Sequence, residues 1–155
     1  MTRGKGRDDS SAVHRTELRA LYHQVDALHE GWTCGTSTDC CRFGVTGREP
    51  YPTAIELAEL EHAVRARGGL PKRRTLPLAE ERRCELLDDH GRCLVYASRP
   101  FGCRTFFCDR GEGPRVSRDE VQRLGREVAA LSARFAPADP GPRPLSRIQL
   151  GAKKR

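Results

Sequence analysis

The chain has 155 residues, a formal net charge of +7 and 32% charged residues, and its length is typical of a single domain. Leu, Ile, Val and Phe supply only 30 residues, close to the fraction at which highly charged chains stay disordered, so a thin apolar core is predicted. No apolar run approaches the roughly 20 residues of a membrane helix, and no apolar segment follows the charged start as in a secretory signal. We therefore predict a cytoplasmic protein with no membrane partner.

The first predicted element is an amphipathic helix that begins at Ser11. Its apolar residues recur at spacings of three and four, which places them on one side of a helix. Gly31 is expected to close it, because a left-handed glycine commonly follows the last helical turn. His14, His23 and His29 lie on or near this helix, and each is expected to be an ordinary polar side chain, with metal binding as the alternative.

Two further helices are predicted from their capping residues. Thr53 and Glu56 have the form of a capping box, in which two side chains satisfy the first free amides of a helix. This helix is expected to stop at the glycines 68–69. The last helix begins at Ser117, its apolar residues form a single stripe, and Phe135 closes it.

Between the second and third helices the sequence predicts a β-hairpin. Two short apolar runs, 84–87 and 92–96, flank an Asp/Gly turn, which is a hairpin signal. The predicted fold class is therefore small α+β, with about three helices packed around a short β-hairpin and cysteine-rich loops. Both ends of the chain are polar and are expected to be disordered. The predicted organisation is a disordered arm at 1–10, a single cysteine-cluster domain at 11–136 and a disordered tail at 137–155.

Seven cysteines fall into two groups, one after the first helix and one across the hairpin and the loop that follows. Stable disulfides are uncommon in the cytoplasm, and an odd number of cysteines fits a disulfide framework poorly. Because free cysteine also packs as a small hydrophobe, core packing and disulfides remain alternatives. Binding of a zinc ion or an iron–sulfur cluster is favoured, since both use convergent thiolates. The candidate metal ligands are Cys34, Cys40, Cys41, Cys84, Cys93, Cys103 and Cys108.

Charged and aromatic residues flank the cysteines. Arg99 and Arg104 are predicted to favour the thiolate forms through their charge and to donate hydrogen bonds that orient the thiolates, with an ordinary exposed arginine as the alternative. Aromatic side chains could shield the site from water, although an ordinary place in the core is favoured for them. These aromatic residues are Tyr96, Phe101, Phe106 and Phe107.

Four segments of the chain together resemble a known family. The segments are 34–41 with its Cys-Cys end, the run Cys-Glu-Leu-Leu at 84–87, Gly-Arg-Cys-Leu-Val-Tyr at 91–96, and Arg-Pro-Phe-Gly-Cys-Arg-Thr-Phe at 99–106. Their order is similar to that of the YkgJ-type cysteine-cluster family of bacterial zinc- or iron-chelating domains, which opens with Cys-x-x-Cys-x-x-Cys-Cys. The resemblance covers about residues 32–107, including a capped helix after the opening motif. It implies a metal site built from these cysteines.

One position departs from the family motif. If Cys34 is the first thiol and Cys40 and Cys41 are the last two, the second position is occupied by Ser37. A serine oxygen is a poor ligand for a site built from soft thiolates. Cys108 could compensate from the other loop, or the site could hold fewer metal ions or none.

The resulting functional hypothesis is a small metal-binding protein that holds zinc or an iron–sulfur cluster. A cluster-dependent redox or methyl-transfer enzyme is one alternative, because flagellin lysine N-methylases have similar cysteine motifs, but no glycine-rich loop indicates a nucleotide or S-adenosylmethionine pocket. A zinc-stapled module that binds an acidic partner is another. A nucleic-acid partner is not predicted, because the arginines are scattered and form no patch. The sequence indicates neither a protein partner nor a substrate.

Overall fold

Three long helices form the frame of the molecule. The computed structural model describes residues 5–33, 38–71, 82–106 and 112–150. Short 3-10 turns lie at Asp39–Cys41, Tyr96–Ser98 and Leu145–Arg147. None of the helices in the described ranges is long and apolar enough to cross a membrane. The helices are α1 (Lys5–Leu28), α2 (Phe43–Thr46), α3 (Ala54–Ala66), α4 (Phe101–Arg104) and α5 (Arg118–Phe135).

The long helices α1, α3 and α5 pack against one another around a shared apolar cluster. All three were predicted, and the Thr53–Glu56 capping box at the start of α3 is confirmed. Gly31 follows α1 with a φ of 82°, the left-handed conformation expected of it. Each residue of the cluster is at most 2% exposed: Leu18 and Tyr22 of α1, Ile55 of α3, and Val128 and Leu131 of α5.

A second apolar cluster lies under the cysteine-bearing loops. Helix α3 contributes Leu60 and Val64 to it, while its Ile55 faces the first cluster. One helix therefore connects the helical frame to the loops. The other members of the second cluster are Phe43, Cys84, Leu86, Leu87, Val95, Leu145 and Leu150.

The predicted β-hairpin, and with it the α+β fold class, is wrong. The described residues contain isolated bridges but no sheet, and a single bridge joins Leu87 to Cys93 across the turn. Leu86 and Leu87 are both buried, although neighbours on a strand point to opposite faces. The first run forms a turn, in which the Leu87 amide donates to the Cys84 carbonyl. The second run ends in the 3-10 turn that begins at Tyr96. The two runs are therefore too short to pair as strands.

The predicted limits of the domain also need correction at both ends. Helix α1 begins at Lys5, within the arm that was expected to be disordered. In the predicted tail, Leu145 and Leu150 are buried in the second cluster. The Leu145 amide donates to the Pro50 carbonyl at 3.1 Å. A polar, proline-rich segment is ordered here because its few apolar residues and backbone amides find partners that composition does not reveal. Residues 1–4 and 151–155 lie outside the described residues.

Replacing Ser132 by alanine is expected to loosen this C-terminal segment. The buried Ser132 hydroxyl donates to the Pro140 carbonyl at 2.9 Å and accepts from the Ile55 amide at 3.4 Å. Losing both contacts should lower the free energy of unfolding by about 1–2 kcal/mol, measured by urea denaturation. Ser146→Ala, at an exposed position in the same segment, is the matched control. Equal effects of the two changes would contradict the assignment.

Candidate metal centre

Five of the seven candidate ligands lie around one cavity of about 280 Å³. They come from three separate parts of the chain, around 40–41, 84–93 and 103. Cys34, Cys108 and Ser37 lie outside the described residues. The five cysteines that line the cavity are Cys40, Cys41, Cys84, Cys93 and Cys103.

Backbone hydrogen bonds bring the first two segments together. Cys40 and Cys41 occupy the 3-10 turn that precedes α2. The Cys84 amide donates to the Cys41 carbonyl at 2.8 Å, next to a bridge between Arg42 and Arg83. Neighbouring residues on two distant segments are therefore held side by side, which places their thiols at the same wall of the cavity.

A tight turn places Cys93 opposite Leu87. The Asp88 carboxylate accepts from the His90 amide at 2.9 Å and from the Arg92 amide at 2.8 Å. These hydrogen bonds lower the pKa of Asp88. Gly91 has a φ of 75° in this turn, a conformation that an L side chain rarely adopts. The Asp/Gly turn was predicted correctly even though the strands around it were not.

Cys103 reaches the cavity from the short helix α4. The helix begins after Pro100, whose carbonyl accepts from the Cys103 amide at 2.9 Å. Proline has a fixed φ that suits the entry to a helical turn. The Arg-Pro pair in the sequence therefore marks the start of this helical turn, and the thiol lies one turn further on.

The thiols influence one another across the cavity. Cys40 Sγ and Cys41 Sγ are 3.7 Å apart. A hydrogen bond from Cys41 lowers the pKa of the Cys40 thiol to about 7, and the same contact raises the pKa of Cys41. Burial is the main cause of the raised pKa values of Cys93 and Cys103. Among Cys40, Cys41, Cys93 and Cys103, the pKa is therefore lowered only for Cys40.

The side chains are gathered around the cavity but do not converge on one point. In the part of the chain that the structure describes, no group of three or more His, Cys, Asp or Glu residues is arranged to hold a metal ion. A ligand shell needs sulfurs within about 2.3 Å of a zinc ion. The thiols would therefore have to rotate inward to bind one.

Arg104 does not play the role predicted from the sequence. Its guanidinium, 2% exposed, donates to the Asp26 carboxylate at 2.5 Å, to the Arg99 carbonyl at 2.9 Å and to the Ala97 carbonyl. It also lies over the Tyr22 ring, 4.0 Å from the centroid. Through these contacts the buried Arg104 side chain connects α1 to the loop before α4, and its guanidinium donates to these groups instead of to the thiolates.

Arg99 lies closer to its predicted position. It lines the cavity, and its charge favours the thiolate forms of Cys40 and Cys93. Its guanidinium stacks on Tyr96 at 3.9 Å from the ring centroid and lies 3.6 Å from an Asp26 oxygen. The predicted electrostatic role therefore agrees with its position, whereas its hydrogen bond goes to the Tyr96 carbonyl.

The aromatic residues divide between the cavity and the core. Phe106 and Tyr96 line the cavity, but Tyr96 is 62% exposed and is a poor shield against water. Phe101 packs against the cluster of α1, α3 and α5, which agrees with the core role favoured from the sequence. Phe107 lies outside the described residues.

Two buried carboxylates of α3, which the sequence did not single out as a pair, attach the loop before α4 to the frame. Glu59 accepts from Arg19 through both guanidinium contacts, at 3.0 and 3.1 Å, and from the Ser98 hydroxyl at 2.8 Å. Glu56 accepts from the Phe101 amide at 2.6 Å. The capping-box pattern pointed to Glu56 for its local bond, but no sequence signal pointed to the loop contacts.

Four further side chains at the cavity were also missed. Their positions depend on how α1 and the C-terminal segment pack, which no local pattern reports. The residues are Asp26, His29, Trp32 and Leu145.

No protein-family model, curated protein or solved structure matches this chain. The likeness to the YkgJ-type cysteine-cluster family therefore stays a prediction that rests on its motifs.

Proposed function

We propose that this is a small cytoplasmic metal-binding protein whose thiol-lined cavity holds zinc or an iron–sulfur cluster. The observation that carries the proposal is the meeting of five cysteines from three segments at one cavity. Cys41, Cys84 and Cys93 also pack with the second apolar cluster, but core packing alone does not require all five thiols to meet at one cavity. Of the five, Cys84 alone is fully buried, and the other four are partly exposed at the cavity.

The donor set fits the proposed centre in chemistry and in number. Thiolates are the ligands that zinc and iron–sulfur clusters prefer, and a structural zinc ion needs four. The five described cysteines exceed that number, so Ser37 at the family's second thiol position does not leave the site short of ligands. A cysteine sulfur moves between staggered rotamers by rotation about one bond, which allows the thiols to turn toward a shared centre.

Metal analysis of anaerobically purified full-length protein tests the proposal. We expect either about one zinc ion per chain in a colourless protein or iron with acid-labile sulfide and visible absorption. The double variant Cys84→Ser, Cys103→Ser should lose the metal, because it leaves only Cys93 beside the adjacent Cys40 and Cys41, which cannot easily both face one ion. Val45→Ser, an exposed position on α2, is the control and should retain it.

Two results would contradict the proposal. One is a folded wild-type chain that takes up neither zinc nor iron with sulfide under reducing conditions. The other is metal that remains at full stoichiometry in the double cysteine variant, since it would then be bound elsewhere.

A further inference from the structure

One imidazole shares the cavity with the thiols. His29 follows the last residue of α1, and its side chain lines the same cavity as the five cysteines. His14 and His23 lie on the preceding turns of α1 and do not line it. Of the three histidines near this helix, the fold brings only His29 to the cavity.

The ring of His29 is held in a fixed orientation. Its Nδ1 lies 2.7 Å from the Val25 carbonyl oxygen. A carbonyl can only accept, so Nδ1 carries the hydrogen and, in the neutral ring, Nε2 carries the lone pair. Nε2 is buried from solvent. Histidines that bind metal commonly use the same arrangement, in which one nitrogen donates to a backbone carbonyl and the other binds.

An ion pair fixes the end of α1 against the segment that carries Cys103. The His29 amide donates to the Asp26 carbonyl at 3.1 Å, and the Asp26 carboxylate contacts both Arg99 and Arg104. The Asp26 ion pairs therefore connect the chain next to His29 with the chain next to Cys103. The imidazole nitrogen and the thiols line the same cavity.

We propose that His29 is a nitrogen ligand of a single zinc ion in this cavity, completing a tetrahedral shell with three of the thiols. The inference rests on the proposed function and deepens it, because it chooses zinc over an iron–sulfur cluster as the bound centre. Zinc readily takes three cysteines and one histidine, whereas most iron–sulfur clusters are held by thiolates alone. It also agrees with the adjacency of Cys40 and Cys41, which cannot easily both face one ion.

Zinc titration of the reduced, metal-free full-length chain tests this assignment. X-ray absorption of the zinc-loaded protein should show one nitrogen at about 2.0–2.1 Å and three sulfurs at about 2.3 Å. His29→Gln should weaken zinc binding by roughly 100-fold or more. Losing only a residue that hydrogen-bonds to a ligand typically costs about 10- to 100-fold, and losing the ligand itself should cost at least as much. His23→Gln, an exposed position on the same helix, should bind as the wild type does.

A second variant keeps the test decisive if His29→Gln folds poorly. His29→Cys should restore tight binding and convert the shell to four sulfurs. A wild-type shell of sulfur alone, unchanged affinity in a folded His29→Gln variant, or a nitrogen that persists in His29→Cys would each overturn the inference. A chain that carries an iron–sulfur cluster but does not bind zinc would overturn the inference and leave the proposed function standing. Binding of neither centre would overturn both.

Discussion

Replacing Glu56 by alanine is expected to lower the free energy of unfolding by roughly 3–5 kcal/mol. The residue is 2% exposed and accepts four hydrogen bonds. One carboxylate oxygen accepts from the Tyr22 hydroxyl at 3.1 Å and the Phe101 amide at 2.6 Å. The other accepts from the Thr53 amide at 2.8 Å and hydroxyl at 2.9 Å. Because these donors are wholly or partly buried, each one left without an acceptor costs about 1–3 kcal/mol.

Urea denaturation of paired variants on α3 measures this effect. Glu61→Gln removes a more exposed carboxylate whose partner is Arg65 one turn away, and such pairs contribute only about 0.3–0.5 kcal/mol. Glu56→Gln should fall between the two, because an amide can accept from one pair of donors but presents its own hydrogens to the other. Similar losses in Glu56→Ala and Glu61→Gln would show that the network does not hold α1 and α4 to α3.

The helical frame could be predicted because its signals are local. The apolar stripe of α5 and the capping residues of α3 each specify a helix within a few residues of sequence. The Thr53 side chain accepts from the Glu56 amide and the Glu56 side chain accepts from the Thr53 amide, whatever lies around them. The prediction of the helices therefore needed no knowledge of their partners.

The loops could not be predicted in the same way, because their structure depends on contacts made far along the chain. Two adjacent buried leucines, Leu86 and Leu87, carry no alternation that would separate a strand from an irregular buried segment. The C-terminal segment looked disordered by composition, yet the buried side chain of Leu145 fixes it in the second apolar cluster. A few well-placed apolar residues decided the outcome, and the average composition concealed them.

The sequence indicated that distant cysteines meet, and five of them line one cavity, but it did not indicate what surrounds them. Several cysteines beside glycines and arginines indicate convergence, since few other arrangements explain them. The positions of Asp26 and His29 depend on where the end of α1 meets the loops, which no spacing reveals. Arg104 shows the same limit, because its neighbour Cys103 suggested an electrostatic role while the fold uses its charge inside the frame.

Replacing Arg104 by alanine is expected to destabilise the protein by roughly 2–4 kcal/mol, because two part-buried carbonyls lose their donor at about 1–2 kcal/mol each. The change would leave the Ala97 and Arg99 carbonyls without their guanidinium donor and would remove the cation from the face of Tyr22. Asp26 is 44% exposed and would regain water, so the loss arises mainly from the carbonyls and the emptied space. Thermal and urea unfolding of the metal-free chain measure it.

Two matched variants distinguish the loss of the Arg104 contacts from a general effect of removing a positive charge. Arg134→Ala removes an exposed arginine paired with Glu17 and should cost at most about 1 kcal/mol. Arg104→Lys keeps the charge but not the planar fork that serves three acceptors at once, so it should recover only part of the loss. Full recovery by lysine would mean that charge alone matters at this position. Arg104 adjoins Cys103 and pairs with Asp26, one turn before His29, so its loss should also weaken zinc binding. Arg104→Lys should restore the zinc affinity and the stability to the same partial extent.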